Sequence, residues 1–224
     1  MPLKSSFVLF LAVDDGLFKT CFGQDDQWPC RLESLDENCS RQDLEAKLSE
    51  KPASLVIMDT EECPHFDVVK EYYSKGGSVV YFGIYGEFAA PDALSREFGV
   101  QWKFSGYTKY NYVLSETGKR LLGDAITEQQ YSKSNLLHVP ESDRILKPAH
   151  DDFDDYKEDC DSDEDDETIQ EKYKQYQESL DSQVPMASHR NESGGRITYL
   201  GFVNGDGNIP KFVRALCCGT KVEA

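Results

Sequence analysis

Through its first hundred residues the chain alternates short apolar runs with stretches of helical spacing. Residues 6–13 (SFVLFLAV), 53–59 (ASLVIMD) and 78–82 (SVVYF) are nearly unbroken apolar runs. Runs of this length, rich in Val, Ile and Phe, predict strands buried on both faces. Between them, residues 40–51 (SRQDLEAKLSEK) place Leu44 and Leu48 four apart, with Ser40 positioned as an N-cap. Residues 65–77 (HFDVVKEYYSKGG) carry an apolar stripe of Val68, Val69, Tyr72 and Tyr73, and Gly76-Gly77 is a stop signal. Residues 91–99 (PDALSREFG) have proline near the start and glycine at the end, which predicts a third helix. Short apolar strands alternating with helices of this size predict parallel βαβ units.

The middle of the chain is less regular. Residues 100–115 (VQWKFSGYTKYNYVLS) alternate, predicting extra strands or an edge hairpin. Residues 115–123 (SETGKRLLG) predict a short helix, and residues 132–148 offer only short strand candidates such as NLLHV. Residues 166–181 (DETIQEKYKQYQESLD) could form a polar helix with Ile169, Tyr173 and Tyr176 on one side. Order then returns: VPMASHR and GGRITYLGFVNG predict two strands joined by the turn NESGG, and NIPKFVRALCCG predicts a closing helix. The whole predicts one α/β domain built from residues 1–148 and 184–224. The expected form is a three-layer α/β/α sandwich, flavodoxin-like, with a mainly parallel sheet. Residues 149–183 are expected as an acidic insertion, disordered or partly helical.

Charge sharpens that division. From Asp151 to Glu167 the chain reads DDFDDYKEDCDSDEDDE, twelve acidic residues and one lysine, a net of −11. The rest of the chain carries −6 of the total −17, so the folded part is only mildly acidic. No cluster of Lys and Arg appears, which argues against nucleic acid as a partner. The acidic stretch instead suits a basic protein. The first apolar run is far shorter than the roughly 20 residues of a membrane span and has no strongly basic leader. The expectation is a soluble, cytoplasmic or nuclear protein without membrane contact. Seven cysteines at irregular spacing include no C-x-x-C pair. That pattern predicts reduced thiols and neither a zinc site nor a disulfide framework. The stretch from Asp161 lacks the glycine and the final glutamate of a calcium loop. No cofactor or metal is expected.

Candidate chemistry gathers at the predicted strand ends, because ligands of open parallel sheets bind outside the carboxyl ends of the strands. Those positions hold Asp14 and Asp15, then Asp59, Thr60 and Glu61, then Tyr85, Gly86 and Glu87, and finally Asn204 and Asp206. Helix capping and turn formation also favour Asp and Asn at such places. Trp102, Tyr107, Tyr110 and Tyr112 form an aromatic stretch that suits either core packing or a contact surface.

The order of elements, the GGSVVYFGIYGEF turn and the late VPMASHR and GGRITYLGFVNG pair resemble class I glutamine amidotransferase-like domains. The chain is closer still to uncharacterised fungal proteins of this type that lack the catalytic cysteine. The shared features are Phe88 and Pro91 after the glycine-rich strand, the FGVQWKFSGY stretch, and the TYLGFVNG and FVRALCCG endings. The resemblance implies a flavodoxin-like sandwich. Its catalytic version needs a G-x-C-x-G elbow, with a thiolate on a strained strand-to-helix turn. Laid on residues 83–87, that motif puts Tyr85 at the cysteine position and Glu87 at the last glycine. A phenol of pKa about 10 is a poor nucleophile. The accompanying H-x-E fails as well, since His189 is followed by Arg190 and Asn191. Conventional amidotransferase chemistry is therefore not expected, and no residue is assigned a catalytic role. The expected function is non-catalytic binding of a protein partner or small ligand at the strand rim, through Asp14, Asp15, Asp59, Tyr85, Gly86, Glu87 and Asn204. The alternatives are a hydrolase-type enzyme with a rearranged site, or an acidic arm acting as chaperone for a basic protein.

Overall fold

The computed structural model of the chain describes residues 6–11, 22, 28–36, 38–58, 65–82, 90–123, 130–149, 165–202 and 209–218. In chain order these form β1 (Phe7–Leu11), β2 (Arg31–Leu35), α1 (Arg41–Ser49), β3 (Ser54–Met58), α2 (Phe66–Ser74), β4 (Ser78–Phe82), α3 (Ala90–Phe98) and β5 (Lys103–Leu114). They continue with α4 (Glu116–Leu122), β6 (Gln130–His138), a 3-10 turn (Glu141–Asp143), β7 (Leu146–Pro148), α5 (Asp166–Asp181), β8 (Gln183–Val184), β9 (Met186–Arg190), β10 (Arg196–Leu200) and α6 (Ile209–Cys218).

The three apolar runs become β1, β3 and β4, at the centre of a six-stranded sheet of order β2-β1-β3-β4-β10-β9. Every pair in it is parallel except β10 with β9. Side chains alternate between its faces, so each central strand feeds two cores. Leu9, Ile57, Val79 and Tyr81 join Leu44 of α1, Val68 and Val69 of α2 and Leu94 of α3 on one side. Val8, Phe10, Val56, Val80 and Phe82 join Phe212, Val213 and Leu216 of α6 on the other. The mixed α/β class and the mostly parallel central sheet are as expected.

Local signals fix the helix ends. Ser40 accepts from the Asp43 backbone N–H while Asp43 reaches back to the Ser40 N–H, a capping box. Ser115 likewise caps α4 through Gly118. The β9–β10 turn needs its glycines: Gly194 has φ +85°, and any side chain at Gly195 would collide with the Tyr73 carbonyl. That contact seats the turn on the end of α2.

One strand is missing from the sequence expectation, and one expected set of extra strands proves larger than its edge-hairpin alternative. β2 is absent from that expectation because RLESL has no apolar run. As an edge strand it needs little burial, and Glu33 is held by Arg31 at 2.5 Å and Lys47 at 2.8 Å. The alternating stretch after residue 100 is also more than an edge hairpin. β5 pairs antiparallel with β6 and with β7, and β6 with β8, giving a second sheet of order β7-β5-β6-β8. Bridges Ser134↔Phe202 and Arg144↔Ala187 join the two sheets.

The expected polar helix forms as α5. Asp165 caps it by accepting from the Thr168 N–H at 2.9 Å. Ile169 and Leu180 are buried, and Tyr173 and Tyr176 are half-buried. No helix among the described residues is long and apolar enough to cross a membrane.

Candidate functional site

Parallel pairing brings the strand ends to one level. Leu11 pairs with Ile57, Met58 with Phe82, and Phe82 with Leu200. β1 has β2 on one side and β3 on the other, so the direction of chain progress reverses between β1 and β3. That boundary is where sheets of this kind leave a crevice at the carboxyl end. The rim candidates Asp14, Asp15, Asp59, Tyr85, Gly86, Glu87 and Asn204 follow these strand ends in sequence. All seven lie outside the described residues, as do Thr60, Glu61 and Asp206.

A polar cluster around a buried carboxylate stands elsewhere, centred on Asp143 at the end of the 3-10 turn. Its carboxylate is buried. Trp102 Nε1 donates to Oδ2 at 2.9 Å, and Ser142 Oγ donates to Oδ1 at 3.1 Å. His189 Nδ1 lies 3.2 Å from Oδ2 and 3.3 Å from Oδ1. A carboxylate inside the protein is costly unless its lone pairs are filled, and three donors fill them here. Trp102 is fully buried, and its backbone N–H donates to Ser95 Oγ at 2.9 Å. The cluster thus ties α3, the start of β5, the 3-10 turn and β9 together.

Tyr73 of α2 completes the surroundings. Its hydroxyl is buried with no hydrogen bond of ordinary geometry among the described residues. Burial, then the Asp143 charge, push this phenol above its ordinary range, with the Asn191 side chain opposing. His189 itself keeps 36% of its side chain exposed, against 7% for Asp143. An imidazole held through Nδ1 by a carboxylate has the orientation a general base needs. Among the described residues no hydroxyl or thiol is bonded to its other nitrogen, so the pair has an orienting group and no nucleophile. His189 pairs with Ile197, which pairs with Val79 near the start of β4. The cluster therefore sits toward the amino end of the sheet, opposite the rim.

A groove of about 760 Å³ opens at that same end, between α1 and α2, with Leu48, Pro52, Val68, Tyr72 and Gly77 in its walls. Tyr72 donates its hydroxyl to the Pro52 carbonyl at 3.0 Å, and burial pushes the phenol up to about 12.

The remaining sequence candidates separate. In the aromatic stretch Trp102 and Tyr112 are core residues, while Tyr107 is exposed. His65 bonds the Cys39 carbonyl through Nε2 at 2.9 Å. Cys30, Cys39, Cys217 and Cys218 are free thiols. Cys21, Cys63 and Cys160 lie outside the described residues. No group of three His, Cys, Asp or Glu among the described residues could hold a metal ion. The Asp143 cluster escaped the sequence reading because 41 residues separate Trp102 from Asp143 and 46 separate Asp143 from His189. The one available hint was His189 standing in a predicted strand, MASHR, after apolar Met186 and Ala187.

No family model matches the chain. No curated protein matches it either. Fifteen chains of solved structures are similar to it. One is the mmIFT52 N-terminal domain, at 15% identity and a TM-score of 0.49, covering 93% of this chain and 95% of that one. Another is alpha-L-fucosidase isoenzyme 2 from Paenibacillus thiaminolyticus, at 11% identity and a TM-score of 0.44, covering 96% of this chain and 30% of that one. At these identities and scores neither likeness bears on the chemistry.

Proposed function

We propose that this domain is a non-catalytic binding module of the amidotransferase-like, flavodoxin-like sandwich type. It takes a protein segment or small ligand at the carboxyl rim of the six-stranded sheet. The observation that supports this reading is the strand order, with its reversal between β1 and β3 and the strand ends held level by register. Folds with that reversal bind ligands there. The sequence then supplies the ligand class. Asp14, Asp15, Asp59 and Glu87 are carboxylates, and they suit an amine, a guanidinium or a basic peptide segment. A basic partner would also meet the acidic stretch from Asp151 to Glu167, which gives a second, screened contact.

The test is an NMR titration of the 15N-labelled full chain with a panel of small amines, guanidines and short Lys/Arg peptides. The reading expects amide shifts that concentrate at Leu11, Met58, Phe82, Leu200 and the residues that follow each. Shifts confined to the groove between α1 and α2, or to residues 151–167, would overturn it.

A further inference from the structure

Cys30 and Cys218 are 188 residues apart in sequence, yet their sulfurs stand 3.1 Å apart. Cys30 lies in the bend just before β2, and Cys218 is the last residue of α6. Neither is in a disulfide, and both are half-buried at the edge of the core that α6 makes with the sheet. A small thiol reagent can therefore reach the pair, whereas the adjacent Cys217 is buried. The separation lies between the length of a disulfide bond and the wider van der Waals contact of two unbonded sulfurs. Bond formation needs a closing movement of about 1 Å toward the ~2.05 Å of a disulfide. A half-buried site at the last turn of a helix and the mouth of an edge strand can supply a movement of that size.

We infer that Cys30 and Cys218 are a redox modification site, a reversible disulfide that ties edge strand β2 to helix α6. The oxidant class is a small-molecule disulfide such as oxidised glutathione. The Cys30 thiol gives its proton to solvent, and the thiolate attacks one sulfur of that disulfide. One glutathione leaves as thiolate and takes up a proton. The Cys218 thiol then loses its proton, and its sulfur attacks the Cys30 sulfur of the mixed disulfide. The second glutathione leaves and is protonated in turn. Two cysteine thiols have been oxidised to one disulfide, and one oxidised glutathione has been reduced to two glutathiones. Burial, and then the neighbouring Cys30, hold the Cys218 thiol above its ordinary range, so its thiolate forms less readily at neutral pH.

The consequence is mechanical. Among the described residues β2 is bonded in the sheet only to β1, and with Leu32 and Leu35 no more than half-buried it has little core to hold it. A covalent link to α6 closes a loop spanning nearly the whole chain and fixes that edge. Long loops gain most from closure in the chain-entropy account.

The experiment equilibrates the full chain with reduced and oxidised glutathione over a range of ratios. Peptide mapping without reductant reads the linkage, and thermal unfolding reads stability. The expected result is a Cys30–Cys218 cross-linked peptide under oxidising ratios, lost again under reducing ones. The oxidised chain should melt roughly 5–15 °C higher than the reduced one. Cys30→Ser and Cys218→Ser should each melt with the reduced wild type at every ratio. Glutathione held on Cys30 without cross-linking, linkage to a different cysteine, or no linkage at any ratio would each overturn the inference.

Discussion

The two sheets of this molecule are built on opposite principles. β1, β3 and β4 are buried on both faces, with Val8, Leu9, Phe10, Leu11, Leu55, Val56 and Ile57 wholly inside. The described side chains of β5 in the second sheet are mostly half-exposed or exposed, with Tyr107 in solvent and Tyr112 in the core. The parallel sheet draws its stability from apolar area removed from water. The antiparallel sheet leans on a long β5–β6 ladder and on the Asp143 cluster that pins it to β9. Among the described residues only the first sheet has a reversal of order between parallel strands, and so only the first offers a crevice of that kind. In the proposed function stability and binding share one sheet, and the other serves as its buttress.

The largest expected effect breaks the first sheet. Ile57→Ala leaves a cavity between α1, α2 and the sheet and should cost about 2–5 kcal/mol, whereas Tyr107→Ala in the second sheet should cost less than about 1 kcal/mol. Urea unfolding of both variants measures the difference, and equal costs would erase the contrast.

Next is the junction. Asp143→Ala leaves the Trp102 indole N–H buried without a partner and should cost about 1–3 kcal/mol. A shift in Trp102 emission should accompany it, with Trp28 replaced by Phe to isolate the signal. A loss below about 0.5 kcal/mol would mean that packing alone holds the second sheet.

A smaller effect appears at high pH. The folded state raises the Tyr72 phenol to about 12 by burial. A raised pKa means that the native state favours the neutral phenol. Its stabilisation is full below the unfolded value of ~10 and is lost as pH rises from there through about 12. Because the ring is partly exposed, the loss should be roughly 1–2 kcal/mol. Tyr72→Phe should flatten that alkaline limb in pH-dependent unfolding, while giving up the Pro52 hydrogen bond at neutral pH. An unchanged limb would place the burial elsewhere.

This division also explains what the sequence disclosed. FVLFL, SLVIM and SVVYF are legible as strands because burial on both faces leaves few polar positions, Ser54 and Ser78 standing only at the strand starts. The helices between them carry caps and stripes of their own, such as Ser40 with Leu44 and Leu48. β2 is illegible because an edge strand tolerates Arg31 and Glu33. The second sheet is legible only as extra strands, because alternation in β5 tells which residues face inward but not which strand pairs with them. Its partner β6 comes after α4, with no hairpin turn between. The candidate rim could be inferred as strand ends alone, since topology sets where such ends gather. The Asp143 cluster and the Cys30–Cys218 pair could not, because their members meet only through tertiary packing.

The central claim is that the rim of the first sheet binds cationic groups, and charge removal there tests it most directly. Binding of the best amine or basic peptide from the panel would be compared in the wild type, in the combined Asp14→Asn, Asp59→Asn and Glu87→Gln variant, and in a variant neutralised across residues 151–167. The account predicts at least a tenfold loss of affinity in the rim variant, equivalent to about 1.4 kcal/mol, and a smaller loss in the other. Unchanged affinity in the rim variant, with binding abolished by neutralising residues 151–167, would contradict it.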